Sequence, residues 1–267
     1  MDTRFIDIHS HVNDSRFEAD LLETLARMRE ASVSSIVVGT DHSMSEKAVH
    51  LATEYPDLWA TVGLHPTDNH KEEFDLVVYE TLASHPRVVA IGECGLDYHW
   101  PAHDGWPTGE REEKERQRVL FVKQIALAEQ LEKPLMIHGR PTQGSMDAYE
   151  DILDILKDFP TIRGDVHFFV GDPVIAKRFL DIGFFLSFTG VLTFAKEYDE
   201  TIRFAPLDRI MAETDAPYVA PALYRGKRNE PAYVTEVYAA IARIRGEDPE
   251  VVRNALVANA RQLFDLR

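Results

Sequence analysis

Cysteine is nearly absent: Cys94 stands alone in 267 residues, which excludes an intrachain disulfide and is consistent with a reducing compartment. Long apolar runs are missing too, so no segment reads as a membrane span. The first strand-like run starts at residue 5, leaving no room for a secretory signal, and a cytoplasmic location is expected. No low-complexity linker divides the chain, so one domain over 1–267 is expected. Basic residues number 29 against 45 acidic, and the formal net charge of −16 repels polyanions. That argues against binding along an extended nucleic-acid duplex and leaves room for a compact ligand attracted locally.

What is present is a repeated pattern: a short apolar run followed at once by a residue able to bind metal. Phe5-Ile6-Asp7-Ile8 leads into His9 and His11, which share one face of a strand end because side chains alternate. A lone His-x-His pair is as readily two satisfied polar side chains, so recurrence matters. Val88 to Ile91 leads to Glu93, Pro134 to Ile137 to His138, Ile162 to Val166 to His167, and Ile210 to Ala212 to Glu213 and Asp215. Ser35 to Val38, Leu58 to Val62 with His65 beyond it, and Phe184 to Phe188 complete eight expected strands.

Segments of helical period separate these runs: Phe17 to Ala31, Ser45 to Glu54, Phe74 to Ser84, Glu112 to Glu132, Asp147 to Phe159, and Pro173 to Ile182. Alternating strands and helices predict parallel, right-handed connections, and eight such units suit an α/β (β/α)8 barrel of TIM type, with an open doubly wound sheet as the runner-up. A barrel gathers the C-terminal ends of separated strands at one mouth. An open sheet would not bring all five ligand-bearing ends together.

The motifs Asp7-Ile8-His9-Ser10-His11, Val62-Gly63-Leu64-His65-Pro66, Gly92 through Tyr98, Ile137-His138-Gly139-Arg140 and Glu213 through Tyr218 span nearly the whole chain. In these the chain resembles the TatD-type metal-dependent deoxyribonucleases of the amidohydrolase-like barrels. The resemblance implies a dinuclear metal site at the C-terminal mouth. His9, His11 and Asp215 would hold one divalent ion, His138 and His167 the other, and Glu93 both. Mg, Mn or Zn are the candidates, and so many imidazoles suit borderline ions better than Mg. Asp215 is the candidate base as well as ligand, and Glu213 is either an alternative base or a supporting carboxylate. One departure concerns His167-Phe168-Phe169-Val170-Gly171, where the family commonly carries small and hydroxyl side chains after the histidine.

His65 is expected to face substrate. Arg140 and the basic loop Arg225, Lys227 and Arg228 are candidates for phosphate, against the plainer reading of a solvated loop. Tyr98, Trp100 and Trp106, in the stretch after the fourth strand, are candidates for stacking unpaired bases, although such residues more often pack a loop onto its barrel. Cys94 beside Glu93 invites a thiol-nucleophile reading, and a small buried side chain in a crowded turn is the stronger one. The leading expectation is a 3′-5′ exonuclease acting on single-stranded DNA ends. The same centre could instead hydrolyse an ester or amide, such as an aminoacyl ester on RNA. A non-catalytic scaffold is disfavoured, because a barrel core needs no metal ligands from five strand ends.

Overall fold

The computed structural model of the chain describes residues 3–67, 72–99 and 109–266. Within them run eight strands: β1 (Phe5–Ser10), β2 (Val33–Val37), β3 (Leu58–Val62), β4 (Val88–Asp97), β5 (Leu135–Arg140), β6 (Gly164–His167), β7 (Phe185–Phe188) and β8 (Ile210–Ala212). Every neighbouring pair is parallel, and order in the sheet follows order in the chain. Hydrogen bonds just past the strand ends close the last seam. The Asp215 N–H donates to the His9 carbonyl at 2.9 Å and the His11 N–H to the Ala216 carbonyl at 2.7 Å, beside a parallel bridge between Ser10 and Ala216. An open sheet would leave β1 and β8 at opposite edges, so the barrel expectation holds and its runner-up does not.

The outer ring is α1 (Leu21–Glu30), α2 (His42–Glu54), α3 (Leu76–Ala83), α4 (Glu110–Gln130), α5 (Asp147–Leu156), α6 (Pro173–Asp181) and α7 (Asp199–Phe204) between strands, then α8 (Val234–Arg245) and α9 (Pro249–Phe264) after β8. Carboxylate caps set several boundaries. Asp41 accepts from the Met44 N–H and starts α2 ahead of its apolar pattern, while Asp172 caps α6 with proline in its first turn. The expected single helix over residues 17–31 divides into a 3-10 turn, Ser15–Phe17, and α1. Strands β2, β3 and β4 are buried along their whole length, covered by helices outside and barrel core inside, which is why they do not alternate apolar with exposed polar residues.

The largest departure is β4, which continues through Gly92-Glu93-Cys94-Gly95 to Asp97 where a turn was expected. Its pairing with β5 shifts register between Ile91 and Cys94. Gly95 has φ +138°, and a side chain there would collide with the His138 carbonyl. Glu93 therefore stands within a rigid strand. Cys94 is buried and burial pushes its thiol pKa up, so it packs as a small apolar residue and is no nucleophile.

Asp7 ties the first and last strands together at the floor of the mouth. Fully buried, it accepts from the Thr214 N–H at 2.8 Å and the Thr214 hydroxyl at 2.7 Å. Asp7→Ala would orphan both donors and is expected to cost about 2–4 kcal/mol. Urea unfolding measures this, and a loss under about 0.5 kcal/mol would show that water replaces the carboxylate.

Candidate metal centre

Five strands deliver histidines and carboxylates to the C-terminal mouth. From β1, His9 Nε2 lies 3.1 Å from His11 Nε2, and Asp215 Oδ1 stands 3.8 Å from the first and 3.4 Å from the second. Glu93 Oε2 closes this group at 3.5 Å from His9 and 3.7 Å from His11. The other Glu93 oxygen, Oε1, lies 2.8 Å from both His138 Nδ1 and His167 Nε2, which are 3.3 Å apart. One carboxylate thus serves two nests, one oxygen to each.

These separations suit a cation. A tetrahedral site with bonds of about 2.1 Å has ligand atoms about 3.4 Å apart, close to the spacing of the first group and to the His138–His167 separation, whereas Glu93 Oε1 sits at hydrogen-bond distance from both of those rings. The hydrogen bonds behind the rings also point the right nitrogens inward. The His11 Nδ1–H faces the Val38 carbonyl at 3.3 Å, and His138 Nε2 bonds Asp97 Oδ2 at 3.0 Å. His9 Nδ1 and His167 Nδ1 face one oxygen, Glu213 Oε2, at 3.7 and 3.5 Å. These outer contacts leave Nε2 of His9, His11 and His167 and Nδ1 of His138 turned toward Glu93 as the atoms a cation would take. The residues therefore fit divalent metal.

Glu213 is fully buried beneath the histidines and is not among the residues lining the mouth; its Oε1 accepts the Phe168 N–H and its Oε2 faces both rings, a position that suits the supporting carboxylate of its two expected roles. Phe168 and Asp215 both hold left-handed backbone, φ +45° and +53°, rare for residues with side chains. The turn at Asp215 carries its carboxylate to His11. His65 is a donor: its Nδ1 accepts the Thr67 N–H at 3.3 Å, so the neutral ring carries its proton on Nε2, which is 3.5 Å from Glu93 Oε1. Although His65, Asp97 and His138 also cluster, Nε2–H and the Asp97–His138 bond disfavour a metal there.

Charge in the centre is tightly shared. Burial opposes ionisation of Glu93, but electrostatic interaction with the neighbouring His167 and His65 and the hydrogen bonds from His138 and His167 hold its pKa well below the usual range. Asp215 is likewise lowered, burial being outweighed by the bond to His11. Burial lowers His9, whereas His138 is pushed up to about 9 because Asp97 and Glu93 more than offset its burial. A cation taking His138 Nδ1 must displace a proton, so binding tightens as pH rises toward that value.

The centre opens into a pocket of about 990 Å³. His11, His65, Glu93, His138, His167, Asp215, Arg140 and Arg225 all line it, together with the apolar side chains of Phe168, Val170, Val191 and Phe194. Other expected substrate residues lie elsewhere. Tyr98 is fully buried and donates to Asp151 at 2.7 Å, so its ring cannot receive a base. Arg228 grips Asp20 with two bonds of 2.7 Å and Glu230 with one of 3.1 Å, which commits its charge to the barrel wall. Lys227 is exposed outside the pocket lining, and Trp100 and Trp106 lie outside the described residues. Sequence reasoning missed Phe194 and Tyr218. Their place in loops after the seventh and eighth strands was the available signal.

The model of TatD related DNases matches residues 6–265. The chain is 37% identical to the uncharacterized metal-dependent hydrolase YabD of Bacillus subtilis over 97% of its own length and 98% of that protein. It is 34% identical to the 3′-5′ ssDNA/RNA exonuclease TatD of Klebsiella pneumoniae, with 97% of each chain covered. The crystal structure of YJJV, a TatD homolog from Escherichia coli K12, superposes with a TM-score of 0.87 at 29% identity and 99% coverage of both chains. With the barrel, the histidine and carboxylate mouth and a match along nearly its entire length in agreement, this chain belongs to the TatD family of metal-dependent hydrolases, enzymes that act on ester bonds.

Proposed function

We propose that the chain is a two-metal exonuclease that removes nucleotides from the 3′ end of single-stranded DNA or RNA. The observation that carries the reading is Glu93, whose Oε2 lies toward His9 and His11 while its Oε1 lies 2.8 Å from both His138 and His167. His9, His11 and Asp215 would hold one divalent ion, His138 and His167 the second, and Glu93 both. Bound there, the ions supply Lewis acidity toward a phosphodiester and bring a water within reach of deprotonation near neutral pH. Asp215, ionised and facing the pocket, takes the proton of the attacking water. The His65 Nε2–H donates to a phosphoryl oxygen, and Arg140 and Arg225 draw phosphate into a mouth that the overall charge would otherwise repel. The exonuclease name of the Klebsiella relative supports this polarity and substrate.

The −16 net charge is the observation that favours a second reading, hydrolysis of a less charged ester or amide by the same centre. Competition separates the two. Metal-loaded protein given a 5′-labelled single strand, a 3′-blocked strand and a panel of carboxylic esters, amides and aminoacyl-RNA is expected to shorten the unblocked strand progressively and leave the blocked one intact. Rapid turnover of a panel member with no shortening would reverse the order.

A further inference from the structure

The apolar lining of the pocket includes a composite shelf. Phe194 is exposed at 44%, unusual for a phenyl group, and the Arg225 guanidinium lies over its ring 4.4 Å from the centroid. Across the mouth a similar stack, Arg16 over Tyr218 at 4.3 Å, has its charge spent: Arg16 makes two 2.8 Å side-chain bonds to Asp14. No carboxylate pairs with Arg225 among the described residues. A flat π surface with an unspent cation, in a pocket that Val170 and Val191 also line, matches a flat aromatic group that carries its own negative charge. An aliphatic acyl group would use the apolar lining and leave the cation idle.

We propose that Phe194 and Arg225 form a nucleotide subsite in which an unpaired base stacks on the shelf and its phosphate meets the guanidinium edge. Stacking of this kind is tolerant of sequence and unavailable to a paired base. The subsite rests on the nuclease reading and adds its choice of unpaired ends. It also moves base stacking from Tyr98, which is buried, to the loop after β7.

Calorimetric titration of the metal-loaded protein with thymidine 5′-monophosphate and with 1,2-dideoxyribose 5-phosphate tests it, since the second has hydrogen where the first has the base. The wild type is expected to prefer the nucleotide by between about fivefold and a hundredfold. Phe194→Ala should erase that preference, Phe194→Tyr should keep it, and Arg225→Ala should weaken both ligands. Because both side chains are exposed, the variants are expected to fold. Nucleotide binding by Phe194→Ala equal to that of the wild type overturns the subsite, whether or not strands are shortened. Phe194-dependent binding in a protein that shortens no strand supports the subsite and sinks the nuclease reading alone.

Discussion

Glu93→Gln is expected to lower kcat for strand shortening by about a thousandfold or more, the largest effect of any single substitution in the mouth. The change conserves volume and removes the charge that both nests share. One carboxamide oxygen cannot serve both groups, and its NH2 would point donors at His9 and His11 or at His138 and His167. Metal content measured on the purified variant should fall together with activity. Retention of more than about a tenth of wild-type kcat with full metal content would show that Glu93 is not shared.

Glu213→Gln is expected to weaken metal binding about 10–100-fold, with activity lost at limiting metal and largely restored when metal is raised. Its Oε2 is the single acceptor that both His9 Nδ1 and His167 Nδ1 face, and each of these atoms otherwise lacks a partner in the buried floor. Glutamine can accept from one ring but will turn its NH2 toward the other or toward the Phe168 N–H. A support role and a proton-accepting role predict different data. If Glu213 took the proton, kcat at saturating metal would stay low and its pH profile would lose the acid limb. As a support, it should alter the metal concentration needed and leave the saturated pH profile in place.

The mouth was legible in sequence because each ligand lies at or just beyond a short apolar run, as parallel strands buried on both faces require. His9, His11, His138 and Asp215 needed only the barrel to be brought together. The run Val88 to Ile91 points to Glu93 as a residue just past a strand end, whereas Gly92 and Gly95 let β4 press against β5 and carry on through Glu93 to Asp97. Two neighbours in the basic loop show where local sequence stops. Arg225 and Arg228 look alike in Tyr224-Arg225-Gly226-Lys227-Arg228, yet Arg228 is neutralised by Asp20, some two hundred residues away, and Arg225 is not. Tyr98 was misjudged for the same reason, since Asp151 on α5 draws its hydroxyl inward. Phe194 carried no motif, and only its position above the seventh strand reveals it.

Two ions, joined through Glu93, are proposed to act as one catalytic centre. Metal-stripped protein titrated with Mn or Zn, while shortening of a 5′-labelled single strand is followed, tests that most directly. Activity is expected to be absent without metal, incomplete at one equivalent per chain and full near two. Full activity at one equivalent, or shortening by metal-free protein, would contradict it.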